Sequence, residues 1–302
     1  MQEGLPSRTA LGAASHRAAH QVLERGAIFA DPLAARILGP DAEAAIRDAQ
    51  ADPSRRRLRL FIAARTRFAE DALAEAVARG DRQLVVLGAG LDTYAYRAPE
   101  GSGLRIFEVD HPATQAWKRR RLAEASIPVP GSLTFAPVDF ERESLSEGLA
   151  AAGLDPALQT FFTWLGVVPY LTEQAVFSTL SYIAGLPGGA HVVFDYGNPA
   201  GQGPGQDAYA EGRQALASRV ALIGEELRSH FETGALLARL AELGYRNMED
   251  LGPEEIRVRY FAGRGSPMSD RGGHIVRAST VYARRIRRGD PMRQGRRPER
   301  AS

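Results

Sequence analysis

The chain has 302 residues, 44% of them apolar, 25% charged and 8% aromatic, with a formal net charge of +2 at pH 7. That usage is ordinary for a globular protein and excludes a disordered tail or a collagen-like fibre. No cysteine is present, which excludes disulfides, thiolate metal sites, iron–sulfur clusters and cysteine nucleophiles.

The small net charge hides an asymmetry. Residues 284–302 carry eight arginines against Asp290 and Glu299, a local balance of +6, so the preceding 283 residues sum to about −4. A basic end on an acidic body is poor evidence for a nucleic-acid groove, and nucleic acid is not expected as a partner. Lys118 is the single lysine among 38 basic residues, which reads as a preference for arginine rather than as a functional signal.

The first twenty residues lack the apolar segment of a secretory signal. The longest apolar run, Phe161 to Leu171, is far short of the roughly 20 residues that span a bilayer. A soluble cytoplasmic protein with no membrane partner is expected. Residues 1–80 read as helical throughout. Ala19, Val22 and Leu23 recur at helical spacing, as do Leu33, Ile37 and Leu38 after a start at Asp31-Pro32. A longer helix is predicted from about Leu58 to Arg79, stopped by Gly80.

From residue 83 the period changes. QLVVLGAG, LRIFEVD (104–110), LTFAPVD (133–139), TFFTWLGVVPY (160–170) and GAHVVFDYG (189–197) read as strands. Helical stretches at 112–125, 143–152 and 172–185 lie between them. This alternation predicts a doubly wound, mostly parallel, Rossmann-like α/β sheet. A glycine-rich loop follows Tyr196, then helix over 207–230 and 233–244, with strands expected near 255–261 and 274–283. The organisation expected is an N-terminal helical cap (1–80), a sheet domain (81–284) with a helical insertion near 198–230, and a basic, disordered tail (285–302).

Gly88-Ala89-Gly90 follows the first sheet strand, where glycine lets the chain turn tightly and lets a ligand approach the backbone. Asp110 ends the second strand 20 residues after Gly90, the position at which an acidic residue holds ribose hydroxyls. Asp139 ends the third strand in the same way and could face an adenine amino group. Each aspartate alone could equally be a helix cap. Three such features at successive strand ends favour an adenosine cofactor, because open α/β sheets bind ligands there. Thr93 stands where a dinucleotide fingerprint wants a third small residue, which weakens a nicotinamide reading, and no phosphate-binding GxxxxGK[ST] occurs.

The run ARTRFAEDALAEAVARGDRQLVVLGAGLDTYAYR, with FEVDHPATQAWKRRRL, PVDFE and WLGVVPYLTEQAVF, resembles the leucine carboxyl methyltransferase-like family of class I S-adenosylmethionine-dependent methyltransferases, from about Thr9 to Val281. The resemblance implies that Arg65 grips the methionine carboxylate of the cofactor, a geometry suited to guanidinium. It implies that the turn Gly88-Ala89-Gly90 lies against the cofactor, Asp110 on the ribose, and Asp139 and Phe140 at the adenine. Arg67 is expected to pair with Asp71 on the helix surface instead. Several relatives carry glutamate before the glycine of the fourth-strand motif, where this chain has Leu165, so that contact is not carried over.

Methyl transfer is an in-line displacement whose main demands are alignment and exclusion of water. A carboxylate acceptor needs no general base, and none is assigned; no metal is expected. His111 reads best as a helix-start residue, and His16 and His20 as a polar helix face. Tyr94, Tyr96, Tyr170 and Tyr196 lie near strand-end loops, where tyrosine either packs or orients a substrate. The expected activity is O-methylation of a carboxylate on a small molecule or peptide. The alternatives are a nicotinamide-dependent oxidoreductase and a non-catalytic adenosine-cofactor binder.

Overall fold

The apolar runs become one seven-stranded sheet of order β3-β2-β1-β4-β5-β7-β6. Its strands are β1 (Gln83–Leu87), β2 (Arg105–Asp110), β3 (Leu133–Pro137), β4 (Thr160–Trp164), β5 (Ala190–Gly197), β6 (Arg246–Leu251) and β7 (Gly273–Ser279). β1 to β5 are mutually parallel, whereas β7 runs antiparallel between β5 and β6. The computed structural model describes residues 7–99, 101–139, 143–199, 214, 217, 226–261 and 272–281. Phe140, most of the predicted insertion and the Arg-rich end lie outside the described residues.

Helices cover both faces. On one, α4 (Arg56–Arg79) lays Leu60, Ala64, Phe68 and Leu73 against Leu84, Val86, Phe161 and Val193. It ends at Gly80, whose φ of +117° an L residue rarely adopts. On the other face, α6 (Leu145–Ala151), α7 (Glu173–Ala184) and α8 (Thr233–Glu242) bury Leu149, Val176, Leu180, Leu236 and Leu240 against Val85, Phe107, Phe162 and Phe194. β1 is buried at every position, as a parallel strand covered on both sides must be.

Over the described residues 7–80 the chain is mostly helical, through α1 (Arg8–Leu23), α2 (Ala34–Leu38), α3 (Asp41–Ala51) and α4, with 24–33 forming a non-helical connection rather than the continuous helix expected. Ala14, Ala18, Leu33, Ile37 and Leu38 pack with Leu91 and Leu122 into a third cluster. Leu122 lies on α5 (Pro112–Glu124), which follows β2. Asp31 starts the second of these segments by accepting from the Leu33 N–H at 3.0 Å, an Asx turn.

The C-terminal third departs from expectation. Residues 255–260 of the predicted strand 255–261 belong to α9 (Pro253–Tyr260), and Phe261 caps its end. Pro253 at the first helical position, Glu254 and Glu255 in the first turn and Arg257 and Arg259 in the last are helix signals that outweigh the β-branched pair Ile256 and Val258. The strand lies instead at β6, whose RNMEDL carries no apolar alternation because it is a half-exposed edge. Residues 226–230, expected to be helical, are not. Their chain follows the turn at Val168–Tyr170, with Arg228 N donating to the Pro169 carbonyl at 2.7 Å and the Ser229 hydroxyl to that of Val168 at 2.8 Å.

Candidate functional site

The carboxyl ends of β3, β2, β1, β4 and β5 present Asp139, Asp110, the glycine turn, Gly166 and Asp195 in that spatial order. The turn is tied directly to β2. Gly88 N and Ala89 N donate to the Val109 carbonyl at 2.9 and 3.1 Å, and Gly90 N donates to Asp110 Oδ2 at 2.6 Å. The other oxygen of Asp110 accepts from His111 N at 2.7 Å. Burial pushes the Asp110 carboxyl upward, against the pull of those two N–H groups and of Lys118. Gly88 and Gly90 have φ of +66° and +44°. A Cβ on Gly88 would lie 2.4 Å from Val167 Cγ2, and one on Gly90 would lie 2.8 Å from Ala10 Cβ. Glycine is thus required twice, once for a residue after β4 and once for α1.

Asp139 follows β3, one residue past Val138, whose N–H donates to the Asp110 carbonyl at 3.0 Å. The Asp139 carbonyl accepts from Glu143 N at 2.8 Å. Arg65 comes from a different direction, down from α4. Its Nη1 donates to Asp195 Oδ2 at 2.8 Å, and its guanidinium packs against Gly166, where a Cβ would be 2.6 Å from Nη2. Arg65 Nε is buried without a hydrogen-bond partner. Arg65 therefore touches the β4 and β5 ends rather than the glycine turn, to which it is linked through Gly166 and Val167. Arg67 pairs with Asp71 at 2.8 Å on the helix surface, as expected.

A second set of charges fastens the N-terminal helices to this edge. Asp31, fully buried, accepts from Thr93 Oγ1 at 2.8 Å and lies 3.4 Å from Arg17 Nε and 3.4 Å from Arg97 Nε. Arg17 Nη2 also donates to the Leu91 carbonyl at 2.5 Å, and Arg97 Nη2 to Glu70 at 2.6 Å. Thr93, the residue that spoils the dinucleotide fingerprint, is used here to hold the loop to Asp31. Leu165 lines a small pocket with Leu73, Val86, Glu70, Asp92 and Tyr94, so the residue before Gly166 presents an apolar wall rather than a carboxylate.

His111 accepts from Ala113 N through Nδ1 at 3.2 Å, the helix-start role expected of it. His20 does not lie on a polar face. It is fully buried, with Nδ1 on Glu24 at 3.2 Å and Nε2 accepting from Ile28 N and Phe29 N. Tyr196 is buried and satisfied, its hydroxyl donating to Asp250 at 2.8 Å with Thr233 at 3.0 Å, so it packs rather than reaching for a substrate. Tyr96 turns inward to Glu108 at 3.4 Å.

Three residues escaped sequence reasoning: Asp195, Asp31 as a charge hub, and Glu108. Asp195 had a usable signal, an aspartate directly after the apolar run HVVF at a parallel strand's carboxyl end. Among the described residues no cluster of His, Asp and Glu could hold a metal ion, and no helix is long and apolar enough to cross a membrane.

Comparison with known proteins bears on this edge. A profile of the family described as leucine carboxyl methyltransferase matches residues 10–184. A Bacillus subtilis protein, YktD, provisionally named an S-adenosyl-L-methionine-dependent methyltransferase, is 34% identical over 211 residues, covering 68% of this chain and 67% of its own. A Frankia alni protein named in the same way is 37% identical over 184 residues, 59% of this chain and 64% of its own. The chain thus spans about two thirds of the curated relatives it matches. The crystal structure of a Thermobifida fusca protein, provisionally named a methyltransferase, superposes with a TM-score of 0.53 at 14% identity, covering 92% of this chain and 96% of that one. At that identity the likeness is one of fold. The profile match over more than half of the chain and the Bacillus relative agree: this chain belongs to the leucine carboxyl methyltransferase family, whose curated relatives are named as S-adenosylmethionine-dependent methyltransferases.

Proposed function

We propose that the chain is an S-adenosylmethionine-dependent O-methyltransferase that esterifies a carboxylate on a small molecule or peptide. The observation that carries the cofactor part of this reading is the buried, unpartnered Nε of Arg65 at the same sheet edge as the glycine turn and Asp110. An orphaned guanidinium donor in a dry site costs about 1–3 kcal/mol unless a ligand accepts from it. The cofactor's methionine arm ends in a carboxylate that would do so, and its ribose offers the hydroxyls that suit Asp110.

When bound, the cofactor supplies a methyl group on a positively charged sulfur. The chain's task is then to hold, align and dehydrate. Arg65 binds the methionine carboxylate at the β4 and β5 ends. The turn at Gly88-Ala89-Gly90 brings backbone close to the ligand, Asp110 orients the ribose and Asp139 with Phe140 receives the adenine. The N-terminal helices, fastened through Asp31 and Arg17, act as the cap that excludes water and shapes the acceptor space. A carboxylate acceptor arrives ionised, which agrees with a site in which His111 Nδ1 already accepts from the helix it caps.

Calorimetric titration with S-adenosylhomocysteine and with NADH, using Asp110→Ala as a control, tests the cofactor. Binding of the first alone, lost in the variant, is expected; binding of NADH refutes the reading. Transfer of a labelled methyl group to a panel of carboxylates and phenols tests the acceptor. Carboxyl methyl esters release methanol in mild alkali and methyl ethers do not. Alkali-stable product alone would refute the ester reading while leaving methyl transfer intact.

A further inference from the structure

Arg65 is buried, and a buried guanidinium does not find its orientation unaided. Three contacts orient it. Asp195 Oδ2 takes Nη1 at 2.8 Å, Asp195 Oδ1 takes the Gly166 N–H at 2.5 Å, and the guanidinium packs so close to Gly166 that no Cβ would fit there. The third contact depends on the second. Gly166 has φ +72°, and a side chain there would drive into Nη1 and Nη2 at 2.9 and 2.6 Å. One carboxylate at the end of β5 thus fixes both the cation and the glycine packed against it. It uses a single corner of the guanidinium and leaves the edge carrying Nε open, and Nε is the buried donor without a partner.

The charges are consistent with this arrangement. Arg65 and Asp195 are both nearly inaccessible, with side-chain exposures of 10% and 5%. As a neutral pair they fold without a stranded charge, whereas a lone buried guanidinium would not. A pair that is neutral yet keeps a two-donor edge unused is suited to an incoming carboxylate. Nothing in hydrophobic packing requires Asp195, since its neighbours Phe194 and Val193 on β5 supply the core contacts.

We propose that Asp195 is a positioning residue that aims Arg65 and Gly166 at the amino-acid arm of the cofactor, so that recognition of that arm is shared between α4 and the end of β5. This rests on the cofactor reading above and on Arg65 as the group that meets the carboxylate. It predicts a selective effect. Removing the Asp195 charge weakens ligands that carry the amino-acid arm and spares those that lack it.

The experiment compares S-adenosylhomocysteine with 5′-methylthioadenosine, which keeps the nucleoside and thioether but has no amino-acid arm. Both are titrated calorimetrically into the wild-type chain, Asp195→Asn, Arg65→Gln and the double variant. Loss of one charge-assisted hydrogen bond corresponds to about 10- to 100-fold in affinity. Asp195→Asn is expected to weaken S-adenosylhomocysteine by that factor and to leave 5′-methylthioadenosine within about two-fold. In the Arg65→Gln background the same substitution changes nothing further. Equal loss for both ligands would make Asp195 merely structural and overturn the proposal, as would undiminished S-adenosylhomocysteine binding. If Asp195→Asn does not fold, the double variant, which strands no charge, decides. Affinity equal to that of Arg65→Gln supports coupling, and a further loss refutes it. Wild-type affinity in Arg65→Gln would instead refute the role of Arg65 itself, a separate failure.

Discussion

The chain's only lysine is fully buried, and its replacement is the most informative test of what supports the cofactor edge. Lys118 Nζ lies 2.7 Å from Glu108 Oε2, and each side chain is 1% exposed. Tyr96 lies beneath, with its ring 5.3 Å from the ammonium and its hydroxyl on the same carboxylate oxygen. Glu108 is on β2, two residues before Asp110 and so on the same face of the strand. Burial pushes the Glu108 carboxyl up to about 7, with Lys118 pulling against it. Between its ordinary 4.5 and about 7, the folded chain therefore holds a proton at Glu108 that the unfolded chain has released. Stability from this group is full below that window and is lost as pH rises through it.

Lys118→Met keeps the stem and removes the charge. Glu108 is then left buried and unpaired, and breaking such a pair from one side costs about 3–5 kcal/mol when the survivor is ionised. A carboxyl without its cation takes up a proton more readily, so the loss is expected in full at pH 8 and to be clearly smaller at pH 5.5. Urea unfolding of both proteins at the two pH values measures it. Lys118→Met/Glu108→Leu removes both charges and should recover most of the loss at pH 8. A penalty independent of pH would refute the reasoning, as would a double variant no more stable than the single one, because either would mean that packing rather than charge makes Lys118 necessary.

Two further perturbations probe the joint between the N-terminal helices and the glycine turn. Gly90→Ala meets both a positive φ of +44° and the Ala10 methyl at 2.8 Å, so it should displace α1 from the turn. Faster proteolysis before residue 24 and at least ten-fold weaker S-adenosylhomocysteine binding are expected, and an unchanged digestion pattern would count against that contact. Asp31→Ala leaves Arg17 and Arg97 without their shared carboxylate and should cost about 3–5 kcal/mol in urea unfolding, a loss below 1 kcal/mol showing that the two arginines find other partners.

The strands β1 to β5 were legible because each is a short apolar run that ends in glycine or aspartate, the pattern a doubly covered parallel strand imposes. The glycine turn, Asp110 and Asp139 were legible for the same reason, since fixed strand ends place neighbouring residues at one edge. β6 was not, because an edge strand with one exposed flank needs no alternation, and α9 was obscured by Ile256 and Val258, the latter 62% exposed. Asp31 and Glu108 escaped for a different reason. Their roles come from partners distant in the chain, Arg97 and Thr93 in one case and Lys118 in the other, and no local spacing announces such a meeting.

Thr93 and Leu165 carry that argument to the site itself. Each departs from a motif, and a motif alone reads each as a weakened site. In the fold Thr93 donates to Asp31, so the position that packs a helix in dinucleotide proteins here ties the loop to the N-terminal segment. Leu165 faces Leu73 and Val86 beside Glu70, whose carboxyl is pushed upward by burial even though Arg97 is bound to it. A glutamate at 165 would add a second buried carboxylate where the first already resists ionisation, and where Asp92 raises the local negative potential further. The apolar residue is therefore consistent with its surroundings rather than a defect in them. As proposed above, Arg65 meets the amino-acid arm and a carboxylate elsewhere on the edge holds Arg65 in place, namely Asp195, 2.8 Å from it.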